Sequence, residues 1–251
     1  MQYKYVTDSP DYSDLSSGRV FYSLPGYPAF PIRLASEMFQ RCLEIRKKIY
    51  NTSTPATLYD PCCGAAYHLS VLSYLHRETI QAVIGSDIDP KAVSLAQQNL
   101  DLLNPAGFDQ RVREISNMFE QYGKDSHKEA LNSATILRNK FFTSENTLPE
   151  TQVFQASVTD RQKILEHIKP KSVDIVFTDV PYGQHTHWHD ADFNPLINPL
   201  DLMLDSLLGV LSTSSIVAIA SDKKQKVFHK DYQRVEQFQI GKRRIVILKP
   251  A

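Results

Sequence analysis

The strongest constraint on this chain is a change of period at Thr54. Upstream, Leu34, Met38, Cys42, Ile45 and Ile49 recur at helical spacing, and Pro31 suits the first position of a helix. Downstream, "ATLYD" (56–60) reads as a short strand, "HLSVLSYLH" as a helix, "QAVIGSD" (81–87) as a strand, and "PKAVSLAQQNLDLL" as a helix opened by Pro90. Strands separated by one helix each must pair in parallel, because a parallel return needs a crossover connection. The pattern resumes later with "TQVFQAS", "DRQKILEHIK", "SVDIVFT", "PLDLMLDSLLGVL" and "SSIVAIAS". It ends in a hairpin, "YQRVEQFQI" and "RRIVILK", joined by Gly241-Lys242, where Gly at the first central position predicts a type II′ turn. The sum is a doubly wound α/β fold: a seven-stranded mixed sheet with helices on both faces.

Residues 54–251 form this sheet domain, and residues 1–53 an N-terminal extension and first helix. The extension carries three prolines in the nine residues "SLPGYPAFP", which favours an extended or turning path. A charged insertion at 104–150 interrupts the alternation and reads as two helices joined near Gly123 on the sheet's rim. Its Arg111, Arg113, Lys124, Lys128, Arg138 and Lys140 either decorate a solvated surface or reach phosphates.

Composition excludes several classes. Twenty-eight basic and 28 acidic residues leave no net charge, so any nucleic acid must be bound through local patches. Clusters at 46–48, 223–224 and 242–244 are the candidates, each also readable as a solvated face. No apolar run approaches the roughly 20 residues of a membrane helix, and no basic-then-apolar signal segment opens the chain. No membrane association is expected, and the expected location is the cytoplasm. Cys42, Cys62 and Cys63 have neither disulfide-framework nor zinc spacing, so they read as reduced, small side chains.

In an open α/β sheet, ligands bind outside the carboxyl ends of the strands. That rule selects the turns after Asp60, Ser86, Ala156 and Asp179. In "LYDPCCGAAY" a strand ends in a carboxylate and turns tightly into a helix, whose N-terminal N–H groups can hold an anionic group. Gly64 permits close approach. One glycine does not make the dinucleotide fingerprint, so Asp60 suits a bound ammonium better than a pyrophosphate. In "IGSDIDP", Asp87 is placed to accept both hydrogens of a ribose diol, and Asp89 to cap the helix begun by Pro90. An amino acid joined to a ribose is S-adenosylmethionine.

These stretches resemble the class I S-adenosylmethionine-dependent methyltransferases, which have a Rossmann-like fold. "DPCCG" (60–64) resembles their first motif in its amino-methylating form, "SDIDP" (86–90) their second and "DVPYG" (179–183) their fourth. The chain as a whole resembles the avilamycin-resistance AviRa group of ribosomal RNA methyltransferases, through "PGYPAFPIRLA", "DPCCG", "LLNPAG" and "DVPYG" with "THW". The resemblance implies methylation of a guanine in 23S rRNA and resistance to orthosomycin antibiotics; a monomer is expected. Cys62 falls in the first motif and joins the cofactor residues. Ser157 stands where a carboxylate usually holds the adenine amine, with Asp160 as a substitute, and the Val158 N–H faces the adenine ring. Ala65-Ala66 replace Ser-Gly; if residue 66 needs a positive φ, alanine strains it by about a kcal/mol.

"TDVPYGQHTHW" (178–188) supplies the chemistry. An exocyclic base amine is a poor nucleophile because its lone pair is delocalised into the ring. An Asp179 oxygen and the Val180 carbonyl can each accept one N–H and turn that lone pair toward the methyl group. Pro181 stiffens the turn and Tyr182 stacks on the base. The expected product is therefore N2-methylguanine. His187 is a candidate to take up the released proton, and Trp188 is either a second stacking wall or a lid. His185, His187 and His189 could together line a metal site, but no further ligand completes the set, so no metal is expected. Two rivals share these features: a DNA adenine N6-methyltransferase, and a cofactor-binding ribosome-associated protein without turnover.

Overall fold

The computed structural model describes residues 3–8, 10–143, 148–180 and 198–251. Seven strands form one sheet: β1 (Ala56–Asp60), β2 (Ile80–Asp87), β3 (Glu150–Gln155), β4 (Val173–Asp179), β5 (Leu211–Asp222), β6 (Tyr232–Ile240) and β7 (Arg243–Pro250). Their order is β3-β2-β1-β4-β5-β7-β6. The first five are parallel, and β7 inserts antiparallel between β5 and β6. Gly241 has φ +59° while Lys242 has no positive φ, as a type II′ turn requires. Chain order reverses between β1 and β4, so a crevice opens at their carboxyl ends.

Side-chain alternation divides the apolar residues between two faces. Leu58, Ile175, Phe177, Ala218 and Ile247 join one cluster with helices α1 (Ile32–Tyr50), α2 (Tyr67–Leu75) and α3 (Pro90–Asp101). Their neighbours Tyr59, Val176, Val217 and Leu248 join the other. The insertion is the expected helical hairpin, α4 (Pro105–Tyr122) and α5 (Asp125–Phe141), joined at Gly123 with φ +60°. Helices α6 (Arg161–His167) and α7 (Pro199–Leu207) pack on the second face, through Ile164, Leu200, Met203 and Leu207.

Two basic side chains assigned above to surfaces are structural instead. Arg46, from the 46–48 cluster, is 2% exposed and pairs with Asp174 at 2.9 Å. Arg111 is buried; its Nε donates to the Val20 carbonyl at 2.8 Å and its guanidinium lies over the Tyr22 ring. A buried guanidinium needs acceptors, and a chain segment lying across the helix provides them. The N-terminal segment is held at a second point. Buried Glu37 accepts the N–H groups of Lys4, Tyr5 and Val6 at 2.8, 2.8 and 3.0 Å, and pairs with Arg41. Burial opposes its ionisation, but the N–H groups of Val6, Lys4 and Tyr5 outweigh that and hold its carboxyl below the usual range. Along α1, Leu34, Met38 and Cys42 are buried, whereas Ile49 is 39% exposed at the helix end.

His76, just after α2, lies with Nε2 2.8 Å from Ser36 Oγ and its ring against Phe39. Burial lowers its pKa to about 4. The unfolded chain then binds more protons than the fold between about pH 6.5 and 4, so this contribution is complete above pH 6.5 and lost as pH falls. Stability from urea unfolding should drop by up to about 2 kcal/mol between pH 7.5 and 5. His76→Gln should flatten that slope; an unchanged slope would exclude His76 as its source.

Candidate active site

Asp60, Asp87 and Asp179 end strands β1, β2 and β4 and meet at the crevice. Asp60 is fully buried. Its Oδ1 accepts the Cys62 N–H at 3.0 Å, folding the turn back over the strand end. Its Oδ2 is 3.0 Å from His68 Nε2, but the geometry is not that of a hydrogen bond, and neither atom has another partner among the described residues. A buried carboxylate oxygen without a donor is costly. At the switch point, a bound ammonium would answer that demand.

The turn is tied to β2 twice. The Gly64 N–H donates to Asp87 Oδ2 at 2.9 Å and the Cys63 N–H to the Ser86 carbonyl at 2.9 Å. Gly64 has φ +51°. Across the contact, a Cβ on Gly85 would stand 3.0 Å from Cys63 Sγ, so glycine there lets the turn settle on β2. Ala66 has φ 50° and ψ 24° at the N-terminus of α2: residue 66 does need the left-handed conformation that the sequence made expensive.

Asp87 also accepts the Asp89 N–H at 3.0 Å. Burial raises its pKa; the Asp89 and Gly64 N–H groups partly offset this, and the charges of Asp60 and Asp89 add to it. Hydroxyl donors of a ribose would steady the ionised form. Asp89 caps α3 as expected, accepting the Lys91 N–H at 2.9 Å, and its other oxygen accepts the Tyr27 hydroxyl. That bond pushes the Tyr27 phenol up to about 12. Burial, with the charges of Asp60 and Asp87, raises the Cys62 thiol well above its usual range, so it is a neutral wall rather than a nucleophile. Ser157 Oγ lies 2.9 Å from Thr159 Oγ1, and Val158 is buried beside it. Asp160, the substitute considered for the adenine amine, caps α6 with its Oδ1, which accepts the Lys163 N–H at 2.9 Å.

Asp179 has a partner that sequence reasoning missed. Arg243 Nη2, from the start of β7, is 3.4 Å from Asp179 Oδ2. The signal was the 242–244 cluster beside the predicted turn, since a hairpin strand next to β5 returns to the same sheet end. Arg243 also covers the Phe30 ring at 5.0 Å, and Phe30 packs edge-on against Phe177 and beside His68. The proline-rich segment thus contributes Tyr27 and Phe30 to the crevice. Val180 extends the ladder by donating to the Ala220 carbonyl at 3.1 Å. Pro181, Tyr182, His187 and Trp188, with His185 and His189, lie outside the described residues. Among the described residues, Asp205, His229 and Asp231 could surround a cation, but His229 Nδ1 already accepts the Asp231 N–H.

This strand order, with a carboxylate closing β1, β2 and β4, defines a class I methyltransferase that uses S-adenosylmethionine. The chain belongs to the rRNA methyltransferase AviRa family, whose model matches residues 1–243. It is 37% identical over 249 residues to the 23S rRNA (guanine(2535)-N(1))-methyltransferase of Streptomyces viridochromogenes, covering 99% of this chain and 96% of that protein. Two solved structures of the rRNA methyltransferase aviRa from the same organism match with TM-scores of 0.84 and 0.85 at 37% identity. They cover 98% and 99% of this chain, and 96% of each matched chain is covered.

Two outcomes follow from this geometry. Asp87→Asn should weaken S-adenosylmethionine binding by about 10- to 150-fold, the worth of hydrogen bonds to a charged group. Calorimetry should also show wild-type affinity failing, as pH falls, above the usual aspartate range; equal affinity in the variant would remove Asp87 from the site. Among the described residues, no atom beyond its two chain neighbours lies within 4 Å of a Cβ on Gly64. Gly64→Ala should therefore cost only conformational energy, about 1–2 kcal/mol in urea unfolding. Ala66→Gly should stay within about 1 kcal/mol of wild type, because strain relief is offset by a lost buried methyl and a freer unfolded chain.

Proposed function

We propose that this chain methylates a guanine of 23S rRNA on its Watson–Crick edge, at N1, using S-adenosylmethionine. The observation that carries the reading is the Asp179–Arg243 pair at the crevice, 3.4 Å apart. The extensive similarity to a protein named as a 23S rRNA guanine N1-methyltransferase supports it. That name also moves the proposed target from the exocyclic N2 amine to its neighbour on the same base edge. The Asp179 clamp suits either atom.

When bound, S-adenosylmethionine supplies a methyl group activated by a sulfonium. Asp60 and the turn at Gly64 hold its amino-acid end, Asp87 its ribose, and Ser157 with Val158 the adenine. Guanine N1 carries a proton in the ring plane and has no free lone pair until that proton leaves. Asp179 accepts the N1–H and takes the proton as the N1–methyl bond forms and the methyl–sulfur bond breaks; water then carries the proton away. Holding the base in line supplies roughly 7–11 kcal/mol of the barrier reduction, and the carboxylate base a further factor of about 10²–10⁴. Arg243 places donors beside Asp179. Guanine offers the O6 acceptor there, where adenine has an amine, so this pair favours guanine over the adenine rival. Tyr182 and Trp188 are proposed as stacking walls and His187 as a proton acceptor, on sequence grounds. The non-catalytic rival rested on Ala66 and Ser157. Ala66 adopts its strained conformation with the turn still closed onto Asp87. The protein is proposed to act as a cytoplasmic monomer.

Incubation with labelled S-adenosylmethionine should label unmodified 23S rRNA and not genomic DNA. Primer extension should stop at one guanine, because an N1-methyl blocks pairing whereas a single N2-methyl does not. Read-through at the labelled site would return the assignment to N2, and label in DNA alone would overturn the RNA reading. Asp179→Asn, which can accept a hydrogen bond but not take the proton, should lose about 10²–10⁴ in rate with cofactor affinity retained. Expression in a susceptible bacterium should raise orthosomycin tolerance for the wild type and not for this variant.

A further inference from the structure

Lys223 and Lys224, directly after β5, stand on the same sheet end as Asp179, and residues 225–231 run from there to the start of β6 at the opposite end, where Tyr232 is opposite Pro250. Asp179 pairs with Ala220 in the β4–β5 ladder, and Asp222, two residues on, ends the strand. Arg243 is opposite Asp222, so the Gly241-Lys242 turn also lies on this rim. The segment 223–231 is held rather than loose. Asp222 Oδ1 accepts the Lys224 N–H at 2.9 Å, and Arg244 Nη1 donates to the Gln225 carbonyl at 3.2 Å. Val227 packs on the second apolar cluster, and His229 is 7% exposed, anchored between Asp205 and the Asp231 N–H.

With Val227 and His229 turned inward, Phe228 is turned out. It is 78% exposed, more than any other large apolar side chain among the described residues. Lys223, Lys224, Lys226 and Lys230 are exposed before and after it along the segment, Lys242 is exposed in the turn at the carboxyl rim, and none forms an ion pair among the described residues. In a chain of zero net charge, this is a local concentration of cations about one presented aromatic ring. Stacking on a ring combined with phosphate contacts is the chemistry of single-stranded nucleic-acid binding. A protein partner would favour a contiguous apolar patch over one ring among lysines.

We infer that Lys223 and Lys224, with the 241–242 turn, meet the unpaired rRNA strand beside the target guanine and that residues 225–231 form the rail along which the strand runs away from it. Phe228 stacks on a flanking base and the lysines bind the phosphates next to it. The inference rests on the proposed rRNA activity, and its test separates the two. Binding of a full-length unmodified 23S rRNA transcript is measured by filter retention between 50 and 200 mM salt, on the order of the range over which phosphate contacts are read. Phe228→Ala should weaken it about 5- to 150-fold, with Phe228→Trp restoring it. The triple variant Lys224→Ala, Lys226→Ala, Lys230→Ala should lower the slope of log affinity against log salt by about 2. Cofactor affinity should be unchanged in all of them, which also reports the fold. Wild-type affinity and slope in these variants, with methylation by the wild type intact, would overturn the rail alone. So would a change in sedimentation in place of RNA affinity, which would mark a protein contact. A wild type that neither binds nor methylates the transcript fails the functional reading and the rail with it.

Discussion

The hydrogen bond from the Gly64 N–H to Asp87 sets the rest of the site. It draws the turn after β1 against the end of β2, where Gly85 leaves just enough room for Cys63. The turn can close only if residue 66 goes left-handed, and the chain accepts that with an alanine. Helix α2 then starts with His68 over Asp60. A buried and a half-buried carboxylate are thereby brought near one another at the switch point, an arrangement unfavourable by itself that a ligand with an ammonium and two hydroxyls would relieve. The local strain and the charge crowding are the same fact seen from backbone and side chain.

On the opposite side of the crevice, a different economy operates. Asp179 is partly exposed and faces Arg243, a cation delivered by the antiparallel strand β7. The inserted position of β7 between β5 and β6 is what brings position 243 to the carboxyl end of β4. A carboxylate and a guanidinium side by side present acceptors and donors together, which is the pattern that the pairing edge of guanine complements. The N-terminal segment completes the enclosure. It is tied down by Glu37 and Arg111 at a distance and by Tyr27 and Phe30 at the crevice itself.

Much of this was legible in the sequence because strand and helix periods are local. The alternation from Thr54, the proline at position 90 with its Asp89 cap, and the Gly241 turn each read correctly from a few residues. Charged residues did not. Arg46, Arg111 and Arg243 look alike in a sequence, and only chain packing distinguishes a buried staple from a site residue. Asp160 shows the same ambiguity: a short acidic residue before a helix is first a cap, and the sequence does not say whether its other oxygen serves a ligand. The choice between guanine N1 and N2 was not legible at all, since both atoms make the same demand on Asp179. Similarity to a relative, not periodicity, informs that choice.

The central claim is that Asp179 both holds and deprotonates a guanine of 23S rRNA. Its most direct test is nucleoside mass spectrometry of 23S rRNA treated with protein and S-adenosylmethionine. The account predicts one N1-methylguanosine per RNA with the wild type and almost none with Asp179→Asn. Methylated adenosine, or N1-methylguanosine formed equally by the variant, would contradict it.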